Sequence, residues 1–299
     1  MLRTRLLTAA ALVPVILAVV LLGEPWLSLL VGIAAFLALV ELVALLDAAG
    51  YQPPQVLSIL AGVALTAAGL VTVNDDSVGG LLTFLLTALD PPGLVAATLI
   101  AATLLLAVAA FMRSDPRDGF VTWAMSVFGI AYVGLMLPMI VLVAHLAPPG
   151  GSALTPVGVL GIGSGVAWTL LLVLVVWGYD TGAYLVGRLV GRTRLVDHIS
   201  PSKTVEGLAG GLVAATLAAG IGAALVGLEP WHPLLIGPLV GVAAQVGDLA
   251  ESLLKRAAGR KDSGFLVPGH GGILDRIDSF LFAAPVLAGY ALLFSGRGA

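Results

Sequence analysis

The 299 residues are 59% hydrophobic and only 10% charged, with a formal net charge of −3, whereas an ordinary soluble domain carries about 25% charged residues. So little charge cannot cover a water-facing surface. A mean hydropathy of +1.09, with long apolar runs from end to end, reads instead as an all-α polytopic membrane protein, and excludes a secreted domain, a nucleic-acid binder and a disordered chain. Cysteine is absent, which also excludes disulfides, thiolate metal sites and cysteine nucleophiles.

Hydropathy predicts nine transmembrane helices, near residues 6–22, 26–46, 56–73, 94–112, 120–146, 157–177, 207–228, 233–254 and 279–295. Each can cross a hydrocarbon core of ~30 Å at ~1.5 Å per residue. The first lies behind Arg3 and Arg5 like a signal peptide, but its apolar part is long and Gly23-Glu24-Pro25 makes a poor cleavage site, so a retained helix is expected. The apolar stretch 78–89 is too short for a crossing and reads as an interfacial or re-entrant piece. With the N-terminus in the cytoplasm, nine crossings place all of the 14 basic residues except Arg297 on the cytoplasmic side, the orientation the positive-inside rule demands. Residues 1–156 then form a five-helix scaffold. Residues 157–299 carry the chemistry, through two polar cytoplasmic segments at 178–206 and 255–278.

Most glycines sit among alanines inside apolar runs, as in Gly207-Leu208-Ala209-Gly210-Gly211, where small residues let helices approach. Gly161-Ile162-Gly163-Ser164-Gly165 reads the same way, because no strand precedes it to make a phosphate loop.

In Trp177-Gly178-Tyr179-Asp180-Thr181-Gly182-Ala183-Tyr184 the sixth helix continues through Asp180, with Tyr184 and Arg188 on the same face. Ser200-Pro201 then starts a turn, after which Lys203 and Thr204 offer a cation and a hydroxyl at a helix entrance, a suitable place for phosphate. An interfacial anchor beside anionic lipid is the competing reading of Lys203.

Asp248, Glu251, Ser252 and Lys255 follow at i, i+3, i+4 and i+7, with Gln245 one turn earlier, so all share one helical face. A carboxylate beside an apolar run is costly unless paired or bound to a cation, which marks Asp248 as functional. A helix-end ion pair of Asp248 or Glu251 with Lys255 is the alternative.

Lys261-Asp262 and then Pro268-Gly269-His270-Gly271-Gly272-Ile273-Leu274-Asp275-Arg276-Ile277-Asp278 complete the polar set. The glycine turn leaves backbone N–H groups free to approach an anion, and Asp275 and Asp278 in the first turn of the next helix could hold a hard cation such as Mg²⁺. Helix capping is the competing role for either aspartate, and an ordinary loop histidine for His270. Carboxylates for metal, basic residues for phosphates and a glycine turn at one membrane face together suit phosphoryl or nucleotidyl transfer to a lipid.

The run Ser252-Leu253-Leu254-Lys255-Arg256, then Lys261-Asp262, Pro268, His270-Gly271-Gly272, Asp275-Arg276 and Asp278 resembles the signature of phosphatidate cytidylyltransferases, the CDP-diacylglycerol synthases. Asp180-Thr181-Gly182-Ala183-Tyr184 and Ser200-Pro201-Ser202-Lys203-Thr204-Val205-Glu206-Gly207 resemble that family's other two blocks. The match covers residues 177–278. It departs at Val267, where Leu, Ile or Phe is usual, at Ser202, where a second lysine is common, and at Val205, where Trp is frequent. The resemblance implies that CTP and phosphatidic acid give CDP-diacylglycerol and pyrophosphate with Mg²⁺ required, in a cell membrane, by a homodimer with its active site facing the cytoplasm. Asp248 and Asp275 would hold one or two cations, with Asp278 beside them. Lys203, Lys255, Arg256, Lys261 and Arg276 would neutralise phosphates, and Asp180 and Glu206 would orient those cations. Ser200, Thr204, His270, Gly271 and Gly272 complete the candidate substrate-binding set.

Two other readings compete. A CTP-dependent lipid kinase would transfer the γ-phosphoryl group to a polyprenol or phytol-type alcohol, with His270 or a carboxylate as base. A secondary transporter could also bury carboxylates among glycine-broken spans, but no internal repeat is visible and the polar residues gather at one face. A CDP-alcohol phosphotransferase lacks its Asp-Gly-x-x-Ala-Arg block here.

Overall fold

The computed structural model describes residues 2–73, 91–146, 163–266 and 271–294. Its helices are α1 (Leu2–Leu22), α2 (Trp26–Ala48), α3 (Gln55–Val73), α4 (Pro91–Phe111), α5 (Pro116–Gly134), the short α6 (Met139–Ala144), α7 (Ser164–Val190), α8 (Val205–Val226), α9 (Pro233–Ala257) and α10 (Leu274–Phe294). Between α7 and α8 lie β1 (Arg194–Val196) and β2 (Ser200–Thr204), paired antiparallel with Val196 opposite Ser200 and Arg194 opposite Thr204.

Eight helices of the described residues, with α5 and α6 counted as one stretch, are long and apolar enough to cross a membrane; the apolar part of α1 covers Ala10–Leu22. This is a multi-pass membrane protein. The stretch 78–89 and the start of the span expected at 157 lie outside the described residues. Elsewhere the helices outrun their apolar segments. α7 continues to Val190, past the polar Tyr179 and Asp180, because nothing interrupts the backbone ladder before Gly191, whose N–H closes on Gly187. The turn expected at Ser200-Pro201 is instead the beginning of β2. Its proline needs no ladder donor on an edge strand.

Packing divides the chain into two compact units that interleave in sequence: residues 1–8, 28–141 and 254–275 in one, and residues 9–27, 142–253 and 276–299 in the other. The expected division at 156/157 was one of role; these units follow contacts instead.

In the first unit α3, α4 and α5 close around Ala61, Ala102, Leu106 and Ile130, with Leu57, Leu99, Trp123 and Val127 against them. Gly62 sits where any Cβ would collide with Leu39 of α2, and the Trp123 indole donates to the Thr103 carbonyl at 3.0 Å. Asp115 caps α5 by accepting from the Arg117 amide at 2.8 Å, with Pro116 in the first turn, where its missing donor costs nothing.

In the second unit α7 and α8 lie along one another through small residues. Gly178 and Gly182 face Ala218 and Ala214, and Gly210 and Gly222 face Val186 and Leu171. Such close approach replaces the hydrophobic drive that helices lack in lipid with dense van der Waals contact. Thr169 and Thr216 bond to the carbonyl one turn back, Thr216 to Leu212 at 2.8 Å, so neither hydroxyl is a stranded donor.

Candidate active site

In the second unit the polar groups gather where β2 enters α8 and where α9 nears its end. The Thr204 side chain caps α8, its hydroxyl oxygen accepting from the Gly207 amide at 3.0 Å. Thr204 is therefore buried. The hydroxyl expected to face phosphate sets the helix entrance instead, and Lys203, one residue earlier, is presented from the strand. Lys203 Nζ forms an ion pair with Asp248 on α9, and the same carboxylate accepts from Ser252 Oγ one turn on at 3.3 Å. The pair stays partly wet, the two side chains being 19% and 31% exposed.

Around this pair several expected substrate residues organise the backbone. Both oxygens of Glu206 lie at the Thr193 amide, 3.1 and 3.2 Å away, and one accepts from the Arg192 amide at 3.0 Å, which fixes the turn after α7. Glu206 thus orients main chain where a cationic side chain was expected. Arg188 donates to the Tyr184 hydroxyl at 2.7 Å, one turn back on α7 as the spacing predicts, while Asp180 is exposed and Ser200 half-buried. Deeper, the Tyr179 hydroxyl donates to Gln245 Oε1 at 2.7 Å, one turn before Asp248. Asp278 near the start of α10 accepts from the Ser279 amide at 2.6 Å. A Cβ at Gly247 would strike the Asp278 carbonyl, so that glycine lets α9 and α10 touch.

The first unit holds the end of α9 and the segment leading into α10. Lys255 Nζ lies 2.6 Å from Asp275 Oδ1, with the side chains 13% and 6% exposed. Each lysine thus meets a different aspartate, and Glu251, one turn before Lys255 on α9, is fully buried. Asp275 Oδ2 accepts three further bonds, from the Ser263 amide at 2.9 Å, Ser263 Oγ at 2.8 Å and the Gly272 amide at 2.8 Å.

The next two amides are also taken, and by a residue the sequence reading passed over. Glu41 of α2 accepts from Ile273 N at 3.0 Å and Leu274 N at 2.8 Å. The N–H groups of Gly272, Ile273 and Leu274, expected to be free for an anion, are thus satisfied by the protein's own carboxylates. The glycines serve that arrangement: Gly271 adopts φ +84°, and a Cβ there would press on Asp275, while one at Gly272 would strike Ser263 and Glu41. His270 lies outside the described residues. Arg256, Lys261 and Arg276 are exposed, and Arg256 donates to the Arg260 carbonyl at 3.3 Å.

The signal for Glu41 was present in the sequence. It is the one acidic residue between Trp26 and Leu46 in an apolar run, and an intramembrane carboxylate is functional by default.

These aspartates offer hard oxygen ligands, and the chain has no cysteine to offer a thiolate. Among the described residues no group of three or more His, Asp or Glu is close enough to cage an ion. Such a set suits Mg²⁺, which takes one or two carboxylates and completes its shell with water and substrate phosphates.

The pattern of the Cytidylyltransferase family matches residues 3–294. Proteins named phosphatidate cytidylyltransferase are similar over a shorter stretch. That of Synechocystis sp. is 46% identical over 132 residues, 44% of this chain and 45% of its own. That of Staphylococcus haemolyticus is 47% identical over 125 residues, 41% and 48%. That of Bacillus subtilis is 48% identical over 133 residues, 44% and 49%. The chain spans about half the length of the curated relatives it matches. A pattern running through nearly every helix, joined to a lysine–aspartate pair, Lys255 with Asp275, inside the signature segment, places this chain in the cytidylyltransferase family.

Proposed function

We propose that the protein transfers the cytidylyl group of CTP to phosphatidic acid, giving CDP-diacylglycerol and pyrophosphate for phospholipid synthesis. The observation that carries this reading is the pairing of Lys203 with Asp248 and of Lys255 with Asp275, three of them within the segments that resemble the family signature and Asp248 one turn before Ser252. The names of the relatives support it. The charge asymmetry along the sequence supports a cytoplasmic N-terminus and nine crossings, with the chemistry at the cytoplasmic face of the cell membrane.

In this reaction a phosphatidate oxygen attacks the α-phosphorus of CTP in line. The new P–O bond forms as the bond to the bridging α,β-oxygen breaks, and that electron pair leaves with pyrophosphate. No general base is required, because the lipid phosphate is already ionised near neutral pH. The protein's task is placement and charge neutralisation. Lys203 and Lys255 are ammonium groups fixed by their aspartates and placed to meet phosphate oxygens. The exposed Arg256, Lys261 and Arg276 supply further positive charge for the triphosphate and for departing pyrophosphate. Asp248 and Asp275, with Asp278, are the carboxylates that would hold Mg²⁺. When bound, the cation offsets charge on the CTP phosphates.

The test is release of pyrophosphate from CTP by the purified full chain in detergent with phosphatidic acid and Mg²⁺, the product lipid being analysed alongside. CDP-diacylglycerol formed only when lipid and metal are both present is the expected result. CDP released with phosphorylation of an added lipid alcohol, or no nucleotide turnover with either lipid, overturns the proposal.

A further inference from the structure

Glu41 lies in α2 between Leu39-Val40 and Leu42-Val43, with 5% of its surface exposed. A carboxylate in such surroundings is costly unless fully partnered. Its partners come from more than 220 residues away in sequence. Oε1 accepts from the Ile273 amide and Oε2 from the Leu274 amide, with Ser263 Oγ 3.0 Å from Oε2. The two amides open α10, where the helix dipole favours negative charge.

Ser263, itself 2% exposed, carries the connection onward. Its hydroxyl lies between two carboxylates, 3.0 Å from Glu41 Oε2 and 2.8 Å from Asp275 Oδ2, its single proton serving one of them at a time, and its amide holds the same Asp275 oxygen. Asp275 in turn holds Lys255. The fit leaves no slack, because a Cβ at Gly264 or Gly272 would occupy the space of the Glu41 carboxylate. Withdrawing that carboxylate would release the start of α10 and Ser263 together, and through Ser263 the Asp275–Lys255 pair.

We infer that Glu41 is a positioning residue for nucleotidyl transfer, so that the apolar helix α2 forms part of the frame that aims Asp275 and Lys255. The inference rests on the cytidylyltransferase reading of the site. Glu41 touches no reacting atom; it acts through Ser263 and the amides of α10.

The experiment compares the full-length protein with Glu41→Gln and Ser263→Ala, using steady-state kinetics and amide hydrogen exchange. Glutamine keeps the shape but turns a nitrogen toward a donor, and alanine removes only the hydroxyl that links the two carboxylates. For Glu41→Gln, the peptide covering Ile273 to Arg276 should lose exchange protection while α7 and α8 keep theirs. In both variants kcat/KM for CTP should fall roughly tenfold to a hundredfold, the scale expected of displaced catalytic groups. Part of that fall should appear as a raised KM, since a mere loss of folded molecules lowers kcat alone.

Unchanged protection in Glu41→Gln overturns the inference, as do wild-type kinetics despite lost protection. If Glu41→Gln loses protection throughout, Ser263→Ala decides by the KM criterion, and an unchanged KM overturns it. Wild-type protein that turns over no CTP defeats the cytidylyltransferase reading instead, while the exchange data still report whether Glu41 holds the segment.

Discussion

Lys255 closes on Asp275 across twenty residues of chain, Nζ to Oδ1 at 2.6 Å, with neither side chain more than 13% exposed. The pair lies at the end of α9 and the start of α10, where cation and anion each suit the local helix dipole. Asp275→Asn is expected to abolish CTP turnover while the protein stays inserted and folded. It breaks the ion pair with Lys255 in a mostly buried place, a change that costs roughly 3–5 kcal/mol when one charge of a buried pair is removed. Adding Lys255→Met removes the other half of the pair and restores none of the activity. Near-normal turnover in Asp275→Asn would sink the assignment.

The Lys203–Asp248 pair is wetter, and its contribution to folding should be correspondingly small, within about 1 kcal/mol. Its contribution to turnover should not be. Lys203→Ala is expected to lose on the order of a hundredfold or more in kcat/KM for CTP, the scale seen when one charge-stabilising donor is removed, with little change in melting temperature. A loss of activity that merely tracks a loss of folded protein would assign Lys203 to structure alone.

Asp278→Asn is the milder case, because the Asp278 carboxylate also receives the Ser279 amide near the start of α10. An asparagine oxygen can keep that bond. The Mg²⁺ dependence of turnover therefore separates the roles: an unchanged Mg²⁺ concentration for half activity assigns Asp278 to the helix end, whereas the expected rise in that concentration assigns it to the cation.

What the sequence made legible follows from which interactions are local. Asp248, Ser252 and Lys255 share a face because helical period decides it, and the structure keeps them on one helix. Partner choice is not periodic. Lys255 reaches Asp275 twenty residues away, and Glu206 is spent on the amides of Arg192 and Thr193, partners that no helical period assigns. The glycines around Gly271 looked like an anion cradle because such a turn exposes amides; Glu41, far away in sequence, fills them. Treating the N-terminal helices as scaffold hid that carboxylate among Ala, Leu and Val, although its charge alone set it apart.

Helix packing gives a prediction independent of chemistry. A Cβ at Gly237 of α9 would lie against the Thr216 backbone of α8, which cannot swing aside as a flexible side chain could, whereas Gly289 of α10 faces open space. Gly237→Ala is expected to destabilise by ~1–3 kcal/mol through overpacking, and Gly289→Ala to be neutral or slightly stabilising through helix propensity. Thermal unfolding in one detergent, both variants beside wild type, measures the contrast; equal melting temperatures would contradict the close α8–α9 approach.

His232, in the turn between α8 and α9, supplies a pH dependence. Its Nδ1 lies 2.5 Å from the Tyr290 hydroxyl, and Trp231 stacks on the ring with centroids 3.8 Å apart. Burial lowers the imidazole pKa below its ordinary 6.5, an effect partly offset by the Glu229 carboxylate. A depressed histidine binds its proton more readily in the unfolded chain than in the folded one. Stability is therefore full above the unfolded value and declines as pH falls below about 6.5 toward the folded value, by at most ~1.4 kcal/mol per pH unit for one proton. Between pH 7.5 and 5.5 the wild-type melting temperature should fall more steeply than that of His232→Gln, which has no proton to take up. Parallel profiles would mean that the folded protein accommodates the imidazolium as well as water does, and that Tyr290 is then bonded to a ring free to charge.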